Sequence, residues 1–282
     1  MIDQKVLTYN GRVVFEKITM PYFQRIPKLF EKNEACFMFI NKGEFSVRTP
    51  DQFLSFEKGK GLLAKCFDYF FETNKKQQAS SDNIELLGVI LHQSMMEELF
   101  QFDLSTSNYK VDFNVKQLQV DALLLNFKQS INILLDNPEL ADETLIKTKL
   151  KEFVLLLSKS ENAPSELDFL AAMFQPNATD FRTTINNNLY SNLSLEEFAK
   201  LCNTSVSTFK RKFKELYSET PKKYFSKMKM KKASQLLLIK ENRVSDIAYE
   251  CGFDSLATFN RIFKKYFGQS PSEYRLSQFG LG

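Results

Sequence analysis

The ten residues SVSTFKRKFK at 205–214 return fifty positions later as SLATFNRIFK at 255–264, and both read as the same helix. Ser205, Thr208, Phe209, Arg211, Phe213 and Lys214 match Ser255, Thr258, Phe259, Arg261, Phe263 and Lys264. In each copy a serine stands where a helix N-cap is needed. Phe209 and Phe213, like Phe259 and Phe263, are four apart and form one buried stripe. Lys210, Arg211, Asn260 and Arg261 lie off that stripe, facing water or a ligand.

The register extends outward in both directions. Pro221 and Tyr224 match Pro271 and Tyr274 at the same offset, whereas Ala199 and Cys202 match Ala248 and Cys251 one residue closer. The change of offset falls in a turn, where insertion is cheapest. Ser194-Leu195-Glu196-Glu197 is a capping box that opens a preceding helix. Ala199 offers a small surface for a crossing helix, and Cys202 reads as a small buried hydrophobe. Asn203 and Gly252 follow the cysteines and tolerate the left-handed backbone of a sharp turn. Thr220-Pro221 and Ser270-Pro271 pair a cap with a first-position proline. Residues 195–224 and 244–274 are therefore expected to be two helix–turn–helix units. Residues 222–239 contain neither glycine nor proline, so one continuous helix of about 27 Å is expected between them. Within it, Met228, Leu236, Leu237 and Ile239 read as core.

Residues 188–276 resemble the DNA-binding domain of the AraC/XylS family of bacterial transcription regulators. The resemblance rests on Val244-Ser245-Asp246-Ile247-Ala248-Tyr249-Glu250-Cys251-Gly252-Phe253 and Phe263-Lys264-Lys265-Tyr266-Phe267-Gly268-Gln269-Ser270-Pro271. It implies a double-stranded DNA partner, with base edges met by Ser207, Lys210 and Arg211 in the first unit and by Leu256, Ala257, Asn260 and Arg261 in the second. Arginine matches a guanine edge, asparagine an adenine, and Leu256 or Ala257 a thymine methyl. Lys212, Lys214, Lys264 and Lys265 are assigned to phosphates. The resemblance also favours an activator that meets RNA polymerase in the cytoplasm, at the nucleoid.

Charge agrees with that division. Residues 188–282 carry 17 basic against 9 acidic side chains, and the remainder carries 21 against 25, within a net charge of +4. A basic final third beside a mildly acidic remainder suggests that one part meets a polyanion. The run Lys227, Lys229, Lys231 and Lys232 points around its helix, so only one or two can reach phosphate.

The first ninety residues read as strands: 35–40, 44–48, 53–56, 62–73 and 84–91, with a polar loop at 74–83. Short strands between turn signals suggest a small antiparallel β barrel or sandwich, and the resemblance in layout makes it a cupin-like barrel. Residues 116–135, 144–158 and 166–174 then show helical spacing, the first two as a hairpin. The hairpin stripe suits sealing the barrel and suits packing on a second copy, which would make a homodimer through 116–158. The expected class is α+β, with a regulatory domain at 1–175 and a DNA-binding domain at 176–282. Phe37, Phe39, Phe45 and Phe67 are expected to line the barrel, which suits an apolar small ligand and a plain packed core equally.

Composition removes other functions. The single histidine, His92, cannot supply a histidine-rich metal centre. Cys36, Cys66, Cys202 and Cys251 form no CxxC pair, and Cys36 and Cys66 show no basic neighbours to activate a thiol. Neither a glycine-rich phosphate motif nor a membrane-spanning run is present, and no secretory signal is visible. The expectation is a non-enzyme without catalytic residues, metal or cofactor, controlled by a small-molecule effector or by a regulatory protein.

Overall fold

The computed structural model describes residues 2–23, 25–28, 33–73 and 83–279, and the chain divides into two compact units, Met1–Ala178 and Thr179–Gly282. Most of the expected loop at 74–83 lies outside the described residues.

The first unit begins with a hairpin of β1 (Asp3–Tyr9) and β2 (Arg12–Met20). Asn10 and Gly11 turn it with φ of 50° and 73°, the paired left-handed geometry that matches strand twist. β3 (Arg25–Pro27), β4 (Glu34–Lys42), β5 (Glu44–Arg48), β6 (Phe53–Glu57), β7 (Lys60–Ala64), β8 (Phe70–Glu72), β9 (Ile84–His92) and β10 (Val115–Gln119) follow. They make a six-stranded sheet, β1-β2-β9-β4-β7-β10, and a four-stranded sheet, β3-β8-β5-β6, with every pairing antiparallel. The antiparallel, β-rich first unit is as expected, and of the two arrangements that the strand pattern left open it forms two sheets rather than one closed barrel.

β4 shows why the centre of the large sheet is packed on both faces. Ala35, Phe37 and Phe39 join one core, while Cys36, Met38 and Ile40 join another, as the two-residue period of a strand requires. The expected lining is corrected accordingly. Phe37 and Phe39 face the helices, and Phe45 and Phe67 pack in the second core, against the four-stranded sheet.

The helices are α1 (Gln93–Phe100), α2 (Ala122–Asp136), α3 (Glu143–Ser160) and α4 (Glu166–Phe174). The helix expected from residue 116 starts at Ala122, because Val115–Gln119 is spent as an edge strand on β7. Asp121 then accepts from the Leu124 amide and caps the helix. Phe127 of α2 and Phe153 of α3 lie against each other with ring centroids 5.0 Å apart, and they meet Phe15 and Phe37 of the sheet. The apolar stripe of the hairpin therefore covers the sheet. Buried Lys65 reaches the Gln175 carbonyl at 3.1 Å and Asn177 Oδ1 at 3.2 Å, fastening the end of this unit.

The second unit contains α5 (Phe181–Asn188), α6 (Leu195–Leu201), α7 (Val206–Tyr217), α8 (Pro221–Leu237), α9 (Val244–Glu250), α10 (Leu256–Phe267) and α11 (Pro271–Gln278). It has two small cores. Ile185, Phe198, Ala199, Phe209 and Phe213 form the first, with Tyr224 and Phe225 from the start of α8 against it. Met230, Ala233 and Leu237, further along α8, join Ile247, Ala248, Cys251, Phe259 and Phe263 in the second. One helix of 17 residues, about 25 Å long, thus belongs to both helix–turn–helix units. Met230 and Ala233 take the core places expected of Met228 and Ile239. The helix ends at Leu237, which leaves Ile239 exposed.

Candidate nucleic-acid interface

α7 and α10 are built alike. Each has twelve residues, and the Ser205 and Ser255 hydroxyls accept from the Thr208 and Thr258 amides. Each buries its two phenylalanines completely and leaves the opposite face largely to solvent. The preceding helices end on Asn203, φ 49°, and Gly252, φ 74°. The capping box at Ser194 is formed, with Glu197 returning its carboxylate to the Ser194 amide at 2.7 Å. Ser270 makes the same box with Glu273, but Thr220 makes no side-chain cap.

Among the candidate base-reading residues, Ser207, Lys210, Arg211, Leu256, Ala257 and Arg261 are exposed. Arg211 holds Glu215 at 3.2 Å across one turn, with both side chains more than half exposed. Lys265 stands at the place equivalent to Glu215, and Arg261 has no ion-pair partner among the described residues. Asn260 departs from expectation. It is half-buried, and its Oδ1 is enclosed without a hydrogen-bond partner among the described residues. Lys212, Lys214, Lys264 and Lys265 are all exposed.

The lysine run on α8 is mostly engaged within the protein. Lys229 donates to the Gly252 carbonyl at 2.8 Å, Lys232 pairs with Glu250 at 3.0 Å, and Lys227 pairs with Glu219 at 3.2 Å. Burial lowers the pKa of the Lys229 ammonium despite the opposing pull of Asp254. Lys229 and Lys232 are therefore fasteners, and Lys227 and Lys231 are the exposed members of the run.

These contacts form a joint that the repeat does not reveal. Asn192, after α5, donates to Asp254 at 2.7 Å, and the Lys232 ammonium lies 4.4 Å from the Tyr190 ring centroid. A Cβ on Gly252 would sit 2.3 Å from the Tyr190 carbonyl oxygen. The turn of the second unit is thereby pinned to α8 and to the chain leading into the first unit. Tyr190 and Asn192 lie outside the repeated register, so comparing the two copies cannot find them.

A second feature was also missed. Lys222, Lys223 and Lys227 line a cleft of about 410 Å³ with Thr220, Ser226 and Tyr266. Lysines in the first turn of α8 oppose its dipole.

Burial disfavours the thiolate form at all four cysteines. Burial pushes the Cys36 and Cys202 thiols up to about 12 and Cys251 to about 11, and raises Cys66 as well. Contrary to expectation, Lys28 stands near Cys36 and Cys66, but desolvation outweighs its charge. Among the described residues no group of three or more histidine, cysteine or carboxylate side chains can hold a metal, and no helix is long and apolar enough to cross a membrane. His92 is held at a strand end, with Nε2 donating to the Val13 carbonyl at 2.8 Å.

Comparison with known proteins agrees with this anatomy. Residues 198–277 match a helix-turn-helix domain and residues 35–169 match an ExsA N-terminal regulatory domain. The thermoregulatory protein LcrF of Yersinia pestis is 24% identical over 269 residues, covering 93% of this chain and 97% of LcrF. The transcriptional activator RhaS of Escherichia coli O6:H1 is 29% identical over 181 residues, covering 62% of this chain and 59% of RhaS. A DNA-binding transcriptional dual regulator of known structure from Escherichia coli K-12 is 30% identical. It covers 38% of this chain and 96% of its own, with a TM-score of 0.32.

Proposed function

We infer a mode of action for a chain that belongs to the AraC/XylS family of DNA-binding transcriptional activators: α7 and α10 enter successive major-groove segments of one duplex. The observation that carries this reading is the pair of equally capped twelve-residue helices on one shared connecting helix. A spacer of about 25 Å with a helix on each side suits two groove segments one DNA turn, roughly 34 Å, apart.

In this reading Arg211 and Arg261 each donate two hydrogen bonds to a guanine. Arg211 gives up an exposed pair with Glu215, whose worth is about 0.5 kcal/mol. Ser207, Lys210, Leu256 and Ala257 touch neighbouring base edges, and Asn260 reaches adenine once its enclosed amide swings out. Lys212, Lys214, Lys264 and Lys265 meet phosphates, joined by Lys222 and Lys223.

Arg261→Ala is expected to weaken operator binding by roughly 1–3 kcal/mol and to relax base choice at one position. Binding titrations on operator variants check both, and an unchanged base preference removes Arg261 from the interface. Lys265→Ala is expected to weaken all sequences alike and to flatten the salt dependence by about one ion. A sequence-selective loss contradicts that role.

Met1–Ala178 acts as the regulatory unit and responds to a small ligand. Support comes from a cavity of about 840 Å³ on its large sheet. The same unit joins two copies through 116–158. The outer faces of α2 and α3 expose Leu123, Leu125, Ile133 and Leu155 in support of that assembly. The complex recruits RNA polymerase in the cytoplasm, where the DNA lies.

A further inference from the structure

The cavity on the large sheet contains one polar group that the fold leaves unsatisfied. Its floor is the face of β1, β2, β9 and β4 that carries Gln4, Glu16, Ile18, Ile90, His92 and Glu34. Glu16 sits opposite Gly88 in register, and a Cβ at Gly88 would stand 3.1 Å from Glu16 Oε1. The missing side chain on β9 thus makes the seat for the carboxylate.

Arg12, Gln93 and His92, which also border this cavity, have partners. Arg12 donates to Ser94 at 3.0 Å, Gln93 to Glu97 at 3.4 Å, and His92 lies between the Val13 carbonyl and Glu34 at 2.8 and 3.0 Å. Glu16 differs. Its Oε2 accepts from Gln4 at 2.8 Å, but Oε1 is enclosed with no hydrogen-bond partner among the described residues, and the residue is 3% exposed. A buried carboxylate oxygen left unpaired is costly. Burial, reinforced by nearby Glu34, raises the Glu16 carboxyl above its ordinary value even though Gln4 opposes the shift. Ile2, Val13, Ile18 and Ile90 supply apolar walls beside it.

We propose that this cavity binds a small organic cation, a protonated amine or guanidinium on a short apolar chain, with Glu16 as its counter-ion and Gln4 as a movable cover. The proposal rests on reading Met1–Ala178 as a ligand-sensing unit and names the class of ligand. An anionic effector would meet the buried carboxylate with like charge, and a neutral hydroxyl would donate a hydrogen bond without balancing that charge. The cation gives Oε1 a donor, and its alkyl chain lies along the isoleucines.

The test uses the full chain. Calorimetry and thermal denaturation are run with 1,4-diaminobutane and butylguanidinium, and with butan-1-ol and butanoate as controls. The expected result is saturable one-to-one binding of the cations, a raised melting temperature, and binding at least about tenfold weaker in Glu16→Gln. Without ligand, Glu16→Gln is expected to melt no lower than the parent, because the change removes an unpaired buried charge. Gly88→Ala, which presses on the Glu16 seat, is expected to weaken the cations as well. Cation binding unchanged in both variants overturns the assignment. Binding of butan-1-ol or butanoate alone overturns the cation while leaving the sensing role intact. No binding by any probe, with no change in operator affinity, overturns both. Operator binding by the ligand-free proteins is measured in parallel and stands apart from all these outcomes.

Discussion

Gly252→Ala is expected to cost roughly 2–5 kcal/mol and to detach the second helix–turn–helix unit from DNA. Two effects add. The backbone at Gly252 is left-handed, φ 74°, which costs a residue with a Cβ about 1–2 kcal/mol. The new methyl would also stand 2.3 Å from the Tyr190 carbonyl oxygen and 3.0 Å from the Lys229 ammonium. Asn203 adopts the same conformation in the first unit, so conformation alone does not demand glycine. The close approach of Tyr190 does. Gly268→Ala is the control: its φ is 79°, but a Cβ there meets nothing within 4 Å. Urea denaturation should show the larger loss at 252, and footprinting should show protection kept only where α7 binds. Equal effects of the two alanines would mean that the joint carries no load.

Phe213→Ala is expected to remove roughly 3–5 kcal/mol and to unfold the first unit. The side chain is fully buried, and the rings of Phe181, Phe209, Tyr217, Tyr224 and Phe225 surround it at 4.5–6.5 Å. That core is small, so few neighbours can collapse into the cavity. Because Tyr224 and Phe225 belong to α8, the loss should also loosen the connecting helix and lower affinity at the second half of the operator. Lys214→Ala, one residue on and exposed, should leave stability within about 0.5 kcal/mol and change only salt-dependent binding. Circular dichroism melts and binding titrations on the two variants separate these outcomes. A Phe213→Ala protein with parental melting and parental affinity would refute the shared-core account.

The helical unit was legible because its sequence states the same local rules twice. Serine caps, phenylalanines four apart, a left-handed turn residue and a terminal proline are short-range signals, and each appears where the helices need it. The joint between the units was not legible. Tyr190, Asn192, Lys229 and Asp254 meet through tertiary contact, and no spacing in the chain announces that. The same limit applies to the first unit. The strands at 44–48 and 84–91 follow from alternation and turns, but whether sheets close on themselves depends on long-range pairing. Val115–Gln119 shows the failure in detail, since lysine, glutamine and leucine there suit a helix as well as a strand and pairing with β7 decides. A glutamate in a strand reads as a surface residue, so nothing in the sequence around Glu16 announces its burial. Only its place opposite Gly88 shows that it is buried.

The central claim, that one chain presents two matched helices to consecutive segments of the same duplex, is tested most directly by hydroxyl-radical footprinting of the full chain on an operator chosen by selection. The account predicts two protected windows on one face of the DNA, about one helical turn apart, surviving excess competitor polyanion, with Gly252→Ala erasing one of them. A single short window in the parent protein, or protection that competitor removes, would contradict it.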